Sequence, residues 1–116
     1  GGDFNSISPL DPEPAWAELE QHHRSRYMSD GRVADRCVLQ SLYDAGFVDL
    51  GHQLGRNGER TVPGAKFGNT EFVPFRSDYF LASRPLAARA SSYAVVRDER
   101  TDAASDHYPL VVEFSS

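Results

Sequence analysis

Two polar side chains near the start of the chain are spaced so that they can act together. Asp3 and Asn5 lie two residues apart in Gly-Gly-Asp-Phe-Asn-Ser. In an extended segment they would point to one side and Phe4 to the other. An aspartate can hold or deprotonate a water molecule, and an asparagine can donate hydrogen bonds to a phosphoryl oxygen without adding negative charge. The pair is a candidate for metal-assisted phosphate chemistry, and a turn at a strand end is the alternative interpretation.

An acid and an imidazole stand directly before an apolar segment near the other end of the chain. Asp106 and His107 precede Tyr-Pro-Leu-Val-Val-Glu-Phe. Because neighbouring side chains diverge in a regular strand, the two can reach one site only from the bend that precedes it. Pro109 supports that placement, since proline is tolerated at the first positions of a strand.

A single carboxylate, Asp78, lies among aromatic and aliphatic residues in the segment 75–83. A buried carboxylate is costly unless it is paired, and a histidine is its natural partner. We therefore expect Asp78 to accept a hydrogen bond from His107. That contact would fix the tautomer of the ring and stabilise the imidazolium.

Three motifs in this order resemble a known family. They are Gly-Asp-Phe-Asn at 2–5, Arg-Ser-Asp-Tyr at 76–79 and Ser-Asp-His-Tyr-Pro-Leu at 105–110. Together they resemble the C-terminal half of the endonuclease/exonuclease/phosphatase superfamily, the fold of DNase I. The resemblance spans essentially the whole chain, and three ordered motifs are far more specific than any one of them.

The resemblance implies a mixed α/β fold, in the stricter classification an α+β fold. Residues 1–116 would form a single domain, the C-terminal half of a DNase I-like four-layer αββα sandwich. We expect a mainly antiparallel sheet with helices on one face, and we expect the N-terminal half of the domain to be absent.

The resemblance also implies a divalent-metal phosphoesterase of the nuclease or phosphatase type, in which water attacks phosphorus in line. Asp3 would orient or deprotonate the water and bind the metal, and Asn5 would hold a non-bridging oxygen. His107 would contact the phosphate or act as the base, with Asp78 behind it. Asp106 would help to position the metal. Magnesium, or alternatively manganese, suits these hard oxygen ligands, and the substrate would be a phosphate ester, with nucleic acid among the candidates.

The family draws its main metal-binding glutamate from the N-terminal half of the domain, so the missing half is itself an expected partner. We expect the isolated chain to bind metal weakly and to hydrolyse little. A non-catalytic interaction module that pairs through an exposed sheet face is the alternative function.

Composition narrows the class of protein. With 116 residues, 40% of them hydrophobic and 25% charged, the chain is long enough for one core. A formal charge of −5 argues against a general nucleic-acid coating protein but does not exclude a nuclease. One cysteine, Cys37, excludes an internal disulfide, and its helical pattern predicts a small buried hydrophobe. The sequence contains no run of 18 apolar residues, so we expect no membrane span.

Two helices are predicted before the middle of the chain. Residues 15–21 follow a proline and should form a short helix with Trp16 and Leu19 turned inward. Residues 33–45 have apolar positions at three-and-four spacing, with Asp30 as a candidate cap and Gly46 as a stop. The inward positions of this second helix would be Ala34, Val38, Leu42 and Ala45, and it should cover one face of the sheet.

The second half of the chain is predicted to be mainly strand. Residues 47–50 should return to the core. The glycine-rich loop 51–69 contains three basic residues, Arg56, Arg60 and Lys66. Either these residues hold the phosphates of a substrate, or the loop is simply solvated. Strands are predicted at 71–76, 77–83, 90–97 and 108–114. The last strand is apolar on both sides, which predicts burial of both faces. The helix at 33–45 would cover one face. The other has no obvious cover within this chain, and the resemblance implies that it packs against the second sheet of the sandwich.

Overall fold

The computed structural model describes residues 1–19, 21–24, 26–28, 33–67 and 73–116. This part of the chain is a mixed α+β domain with small antiparallel sheets of two strands each. The strands are β1 (Gly2–Asp3), β2 (Val48–Asp49), β3 (Asp78–Tyr79), β4 (Leu81–Ala82), β5 (Ala90–Val95) and β6 (Leu110–Phe114). The α-helices are α1 (Gln21–Arg24), α2 (Cys37–Asp44), α3 (Leu50–Gln53), α4 (Arg84–Ala87) and α5 (Glu99–Ala104). None of these helices is long and apolar enough to span a lipid bilayer.

The segment 78–82 connects two of the sheets, because β3 and β4 are separated only by Phe80. β3 pairs with β1, with Asp3 opposite Asp78, and β4 pairs with β2. The strand predicted at 77–83 is therefore confirmed in part, because it is divided at Phe80 into two short strands with different partners. Of the strand predicted at 71–76, residues 71 and 72 lie outside the described residues, and Phe75 forms only an isolated bridge with Val62.

β5 and β6 form the longest strand pair of the described residues, with a register irregularity between Ala90 and Ser92. Both strands lie within the stretches predicted for them. Val111 is 47% exposed, so its face of β6 has no cover among the described residues, as expected for this chain. Burial of that face by a second sheet stays a prediction. Leu110 and Val112 are partly buried on the opposite face, in one cluster with Leu50 and Leu54, and Phe114 at the end of that face is 39% exposed. The cover thus comes from the region of α3, not from the helix predicted at 33–45.

α2 differs from its prediction in both its start and its buried face. Ala34 bridges to Met28, so the chain is not helical there, and the predicted cap at Asp30 lies outside the described residues. Leu39 is the buried residue of the helix, whereas Val38 is 49% exposed. Leu39, Leu42 and Tyr43 offer a second apolar face with the same helical spacing. The Tyr43 hydroxyl binds Asp49, six residues further on, and Ser8, 35 residues away, and these contacts outside the helix select that face.

The same rotation of α2 leaves the Cys37 thiol exposed, so the prediction of a buried cysteine is wrong. The predicted stop is correct. Gly46 follows α2 with φ of 96°, a left-handed conformation that favours glycine.

Two hydrophobic cores are built from these elements. Trp16 and Leu19 are buried as predicted, although they frame a single turn of 3-10 helix rather than an α-helix. The first core contains Ile7, Trp16, Leu19, Tyr27, Ala34, Val62, Val73 and Phe75. The second core contains Leu50, Ala82, Ala87, Tyr93, Val95 and Tyr108.

A fully buried ion-pair network contains Arg76. Its guanidinium binds both oxygens of Asp11 at 2.8 and 2.9 Å and both oxygens of Asp49 at 2.9 and 2.5 Å. The guanidinium also lies over the ring of Tyr79, 4.4 Å from its centroid. A side-chain carbon at Gly51 would lie 2.6 Å from Nη1 of Arg76, so only glycine leaves room there. Burial opposes the charged form, but the hydrogen bonds and charges of Asp49 and Asp11 raise the pKa of Arg76.

Replacing Arg76 by methionine should lower the free energy of unfolding by about 3–5 kcal/mol, because Asp11 and Asp49 would be left buried without a partner. Urea unfolding followed by circular dichroism measures the change. The matched control is Arg97→Met, which removes the partly exposed pair with Glu59 and should cost no more than about 1 kcal/mol. Equal losses in the two variants would contradict the prediction.

Candidate functional site

Two carboxylates face each other where β1 pairs with β3. Asp3 and Asp78 are direct partners in the antiparallel register, which places both side chains on the same face. The side chain of Asp3 is 35% exposed and that of Asp78 is 14% exposed. Like charges directly opposite each other destabilise a strand pair. The position therefore favours a positive group between or beside the two carboxylates.

His107 is the group that lies beside both. Its Nδ1 is 2.9 Å from Oδ2 of Asp78, and its Nε2 is 3.8 Å from Oδ2 of Asp3. Because an ionised carboxylate only accepts hydrogen bonds, Nδ1 is the donor in the contact with Asp78. The contact expected between these two residues is present. One ligand atom from each of the three residues lies within 4.8 Å of the others, a spacing that could hold a metal ion.

The electrostatics of this cluster favour a charged His107. Partial burial lowers the pKa of the imidazole, and this is the largest single contribution. The hydrogen bond to Asp78 and the charges of Asp78, Asp3 and Asp106 together outweigh it and raise the pKa above its ordinary value of 6.5.

The second oxygen of Asp3 is held by its neighbours. Oδ1 accepts hydrogen bonds from the backbone nitrogen of Asn5 at 2.8 Å and from Oγ of Ser77 at 2.6 Å. These bonds orient the carboxylate and leave Oδ2 towards His107. Sequence reasoning did not assign a role to Ser77, and its place directly before Asp78 was the only signal available.

Asn5 is not in the extended conformation that the two-residue spacing assumes. Its φ is 47°, in the left-handed region, and its backbone nitrogen closes a short turn onto Asp3. The turn interpretation is therefore the correct one for the backbone. Phe4 does lie on the other side, where its ring meets Tyr79 edge to face at 5.7 Å. The phosphate-binding role of the exposed Asn5 side chain stays a prediction.

Asp106 and His107 lie on the bend before β6, as predicted. Asp106 is not one of the three clustered ligand residues. Its Oδ1 is 3.4 Å from Oγ of Ser105, and its backbone oxygen accepts from the nitrogen of Gly64 at 2.8 Å. The structure thus brings together Asp3, Asp78 and His107 and places Asp106 beside them.

Two of the basic residues of the loop 51–69, Arg56 and Arg60, have protein partners of their own. The Arg60 guanidinium lies over the ring of Tyr108 at 5.3 Å and donates to the oxygen of Pro63. Arg56 pairs with Glu59 at 3.7 Å. Substrate binding by this loop stays a prediction.

No protein-family model matches the chain, and no curated protein matches it either. The case for a function therefore rests on the motifs and on the geometry of the site.

The raised pKa of His107 makes stability depend on pH with a definite sign. The folded chain holds this proton more tightly than the unfolded chain does, so the stabilisation is complete below pH 6.5 and is lost as the pH rises through the raised pKa. The difference in unfolding free energy between the wild type and His107→Gln should therefore shrink across that window in urea titrations. Asp78→Asn should remove most of this dependence. A difference that grows with pH would contradict the assignment.

Proposed function

We propose that this chain carries part of the active site of a divalent-metal-dependent phosphoesterase of the nuclease or phosphatase type. The observation that carries the proposal is the cluster of Asp3, Asp78 and His107, three motif residues far apart in sequence with ligand atoms within 4.8 Å of one another. Filling a core does not explain two opposed carboxylates around one imidazole. A site for a cation and a phosphate does.

The donor set fits a hard divalent cation. Oδ2 of Asp3 belongs to a partly exposed carboxylate whose other oxygen is already held by protein donors. Asp78 is less exposed and binds His107. Asp3 would therefore hold magnesium or manganese together with water, and Asp106 would support those waters. Such an ion supplies Lewis acidity and a bound water that loses its proton more easily.

The protein groups divide the remaining work. Asp3 would orient the attacking water or accept its proton, and Asn5 would donate to a non-bridging oxygen. His107 would contact the phosphate and neutralise its charge, and Asp78 would keep the proton on Nδ1 so that Nε2 faces the site.

The proposal includes the fold of the complete domain. In a DNase I-like sandwich the short sheets of this chain would continue into a larger one, and a second sheet would supply the principal metal-binding glutamate. The exposed side chain of Val111 supports this view, since that face of β6 has no cover among the described residues. The N-terminal half is thus the proposed partner, and a phosphate ester is the proposed substrate.

The chain alone should bind Mn²⁺ or Mg²⁺ weakly, and binding should tighten as the pH rises through the raised pKa of His107, because the imidazolium repels the cation. Asp3→Asn should weaken binding about tenfold or more, measured by Mn²⁺ relaxation or calorimetry. Asp98→Asn is the control, since Asp98 caps α5 and asparagine caps equally well. Equal affinities of the Asp3 variant and the wild type would contradict the assigned metal site.

The decisive test of function is hydrolysis by the full-length gene product with magnesium, on a panel of phosphodiesters and phosphomonoesters. His107→Ala should lower kcat about 100-fold to 10,000-fold while leaving the fold intact. The control is His52→Ala, because the ring of His52 bonds the exposed side chain of Asn57 and lies outside the cluster. Unchanged turnover in the His107 variant, or no magnesium-dependent turnover on any ester, would overturn the proposal.

The exposed side chain of Val111 favours a second class of function, an interaction module that pairs through this face of β6. In that case the chain should self-associate in sedimentation experiments, and Val111→Lys should remain monomeric. The full-length product would then have no hydrolytic activity.

A further inference from the structure

Thr61 is fully buried and contacts both segments that carry the Asp78–His107 pair. We propose that Thr61 is a positioning residue that sets the distance between Asp78 and His107. The importance of that distance for catalysis rests on the proposed function, but the contact itself is a property of the described residues.

The side chain of Thr61 holds the segment that carries Asp78. Its Oγ1 accepts hydrogen bonds from the backbone nitrogen of Ser77 at 2.9 Å and from that of Asp78 at 3.2 Å. A hydroxyl oxygen has two lone pairs, so one atom accepts from both amides. β1 pairs with β3, and the backbone oxygen of Ser77 accepts from the nitrogen of Phe4 at 2.9 Å. The segment that carries Asp78 is therefore held both from the side of β1 and by the hydroxyl of Thr61.

The backbone of Thr61 holds the segment that carries His107. Its carbonyl oxygen accepts from the nitrogen of Tyr108 at 2.8 Å, and the nitrogen of Gly64 donates to the oxygen of Asp106, also at 2.8 Å. These two bonds are made by the residues immediately before and after His107. The segment 61–64 thus runs alongside the bend and fixes it on both sides of the imidazole.

Gly64 shows how closely the two segments approach. A side-chain carbon built there would lie 2.3 Å from the backbone oxygen of Ser105, well inside any tolerated contact. The segment 61–64 therefore packs closely against the bend that carries His107, and the hydroxyl of Thr61 joins this segment to the one that carries Asp78. Its backbone nitrogen adds a bond to the oxygen of Phe75 at 3.0 Å.

A positioning role differs from a purely stabilising one in what it predicts for the ring of His107. If Thr61 sets the distance, loss of its hydroxyl moves the Asp78 backbone and lengthens the 2.9 Å contact between Nδ1 and Oδ2. The neutral ring then no longer keeps its proton on Nδ1. If Thr61 only satisfies two buried amides, the fold weakens but the tautomer of the ring stays the same.

The experiment records imidazole ¹⁵N chemical shifts of metal-free protein at a pH where His107 is neutral, because these shifts report which nitrogen carries the proton. In the wild type and in Thr61→Ser, which keeps the hydroxyl, the proton should be on Nδ1. In Thr61→Val, which keeps the shape, a substantial share should move to Nε2. The matched control is Thr101→Val, which removes a hydroxyl from the capping box of α5 and should leave the His107 tautomer unchanged. A folded Thr61→Val protein with the wild-type tautomer would overturn the proposal.

Hydrogen exchange of the wild-type protein tests the same contact if Thr61→Val does not fold. The amides of Ser77 and Asp78 should exchange slowly, since Thr61 accepts from both. Exchange as fast as that of exposed amides would equally overturn the proposal. Neither readout requires hydrolysis. A shifted tautomer together with an inactive full-length product would therefore support the positioning role and reject the phosphoesterase, and the reverse result would reject only the positioning role.

Discussion

The buried guanidinium of Arg76 is the interaction on which the arrangement of the other elements depends. It binds Asp11, from the irregular connection after β1, and Asp49, which ends β2 and caps α3. The described strands pair only two by two, so backbone ladders alone do not join these elements. Burying one cation and two anions carries a large desolvation cost that only good geometry offsets. The network is therefore better explained as a constraint that favours one arrangement of the chain than as a large net contribution to the free energy of unfolding.

Backbone contacts around Arg76 connect this network to the candidate site. Arg76 stands two residues before Asp78, and its carbonyl oxygen accepts from the hydroxyl of Tyr79 at 2.8 Å. The same hydroxyl accepts from the nitrogen of Ser8 and lies 3.0 Å from the oxygen of Ser6. The strand end that carries Asp78 is thus fixed to the turn that follows Asp3. Two carboxylates that would repel each other in isolation are held opposite each other by contacts made elsewhere in the fold.

Local patterns in the sequence were sufficient for features that depend on near neighbours. The extended run around Asp78, the bend that carries His107 and the stop at Gly46 follow from residue types and spacing, and the structure confirms them. The contact between Asp78 and His107 was also foreseen, because a lone buried carboxylate needs a partner. The polar motifs thus predicted the centre of the site well.

Features decided by long-range contacts were not predictable in this way. Arg76 and Asp11 are 65 residues apart, and nothing local marks either as half of a buried pair. The exposed face of α2 follows from contacts of the Tyr43 hydroxyl outside the helix, above all with the distant Ser8, because the two candidate faces of this helix have the same spacing. The role of Thr61 was not predictable from the sequence for a related reason. Its partners are backbone amides and carbonyls, which leave no trace in the sequence.

The charges of the cluster determine the order in which the proposed ligands can arrive. With His107 protonated, Asp3, Asp78 and His107 together carry one formal negative charge, and with the ring neutral they carry two. Asp106 adds further negative potential beside them. A phosphate ester is an anion, so the field of the cluster opposes its approach in both states, and the formal charge of the chain, −5, adds to the barrier. A divalent cation held at Asp3 would bring the formal charge of these three residues to +1 with His107 protonated and to zero with the ring neutral. In the proposed chemistry this charge balance favours binding of the cation before the phosphate enters, and a charged His107 then adds to the attraction instead of only balancing the two aspartates.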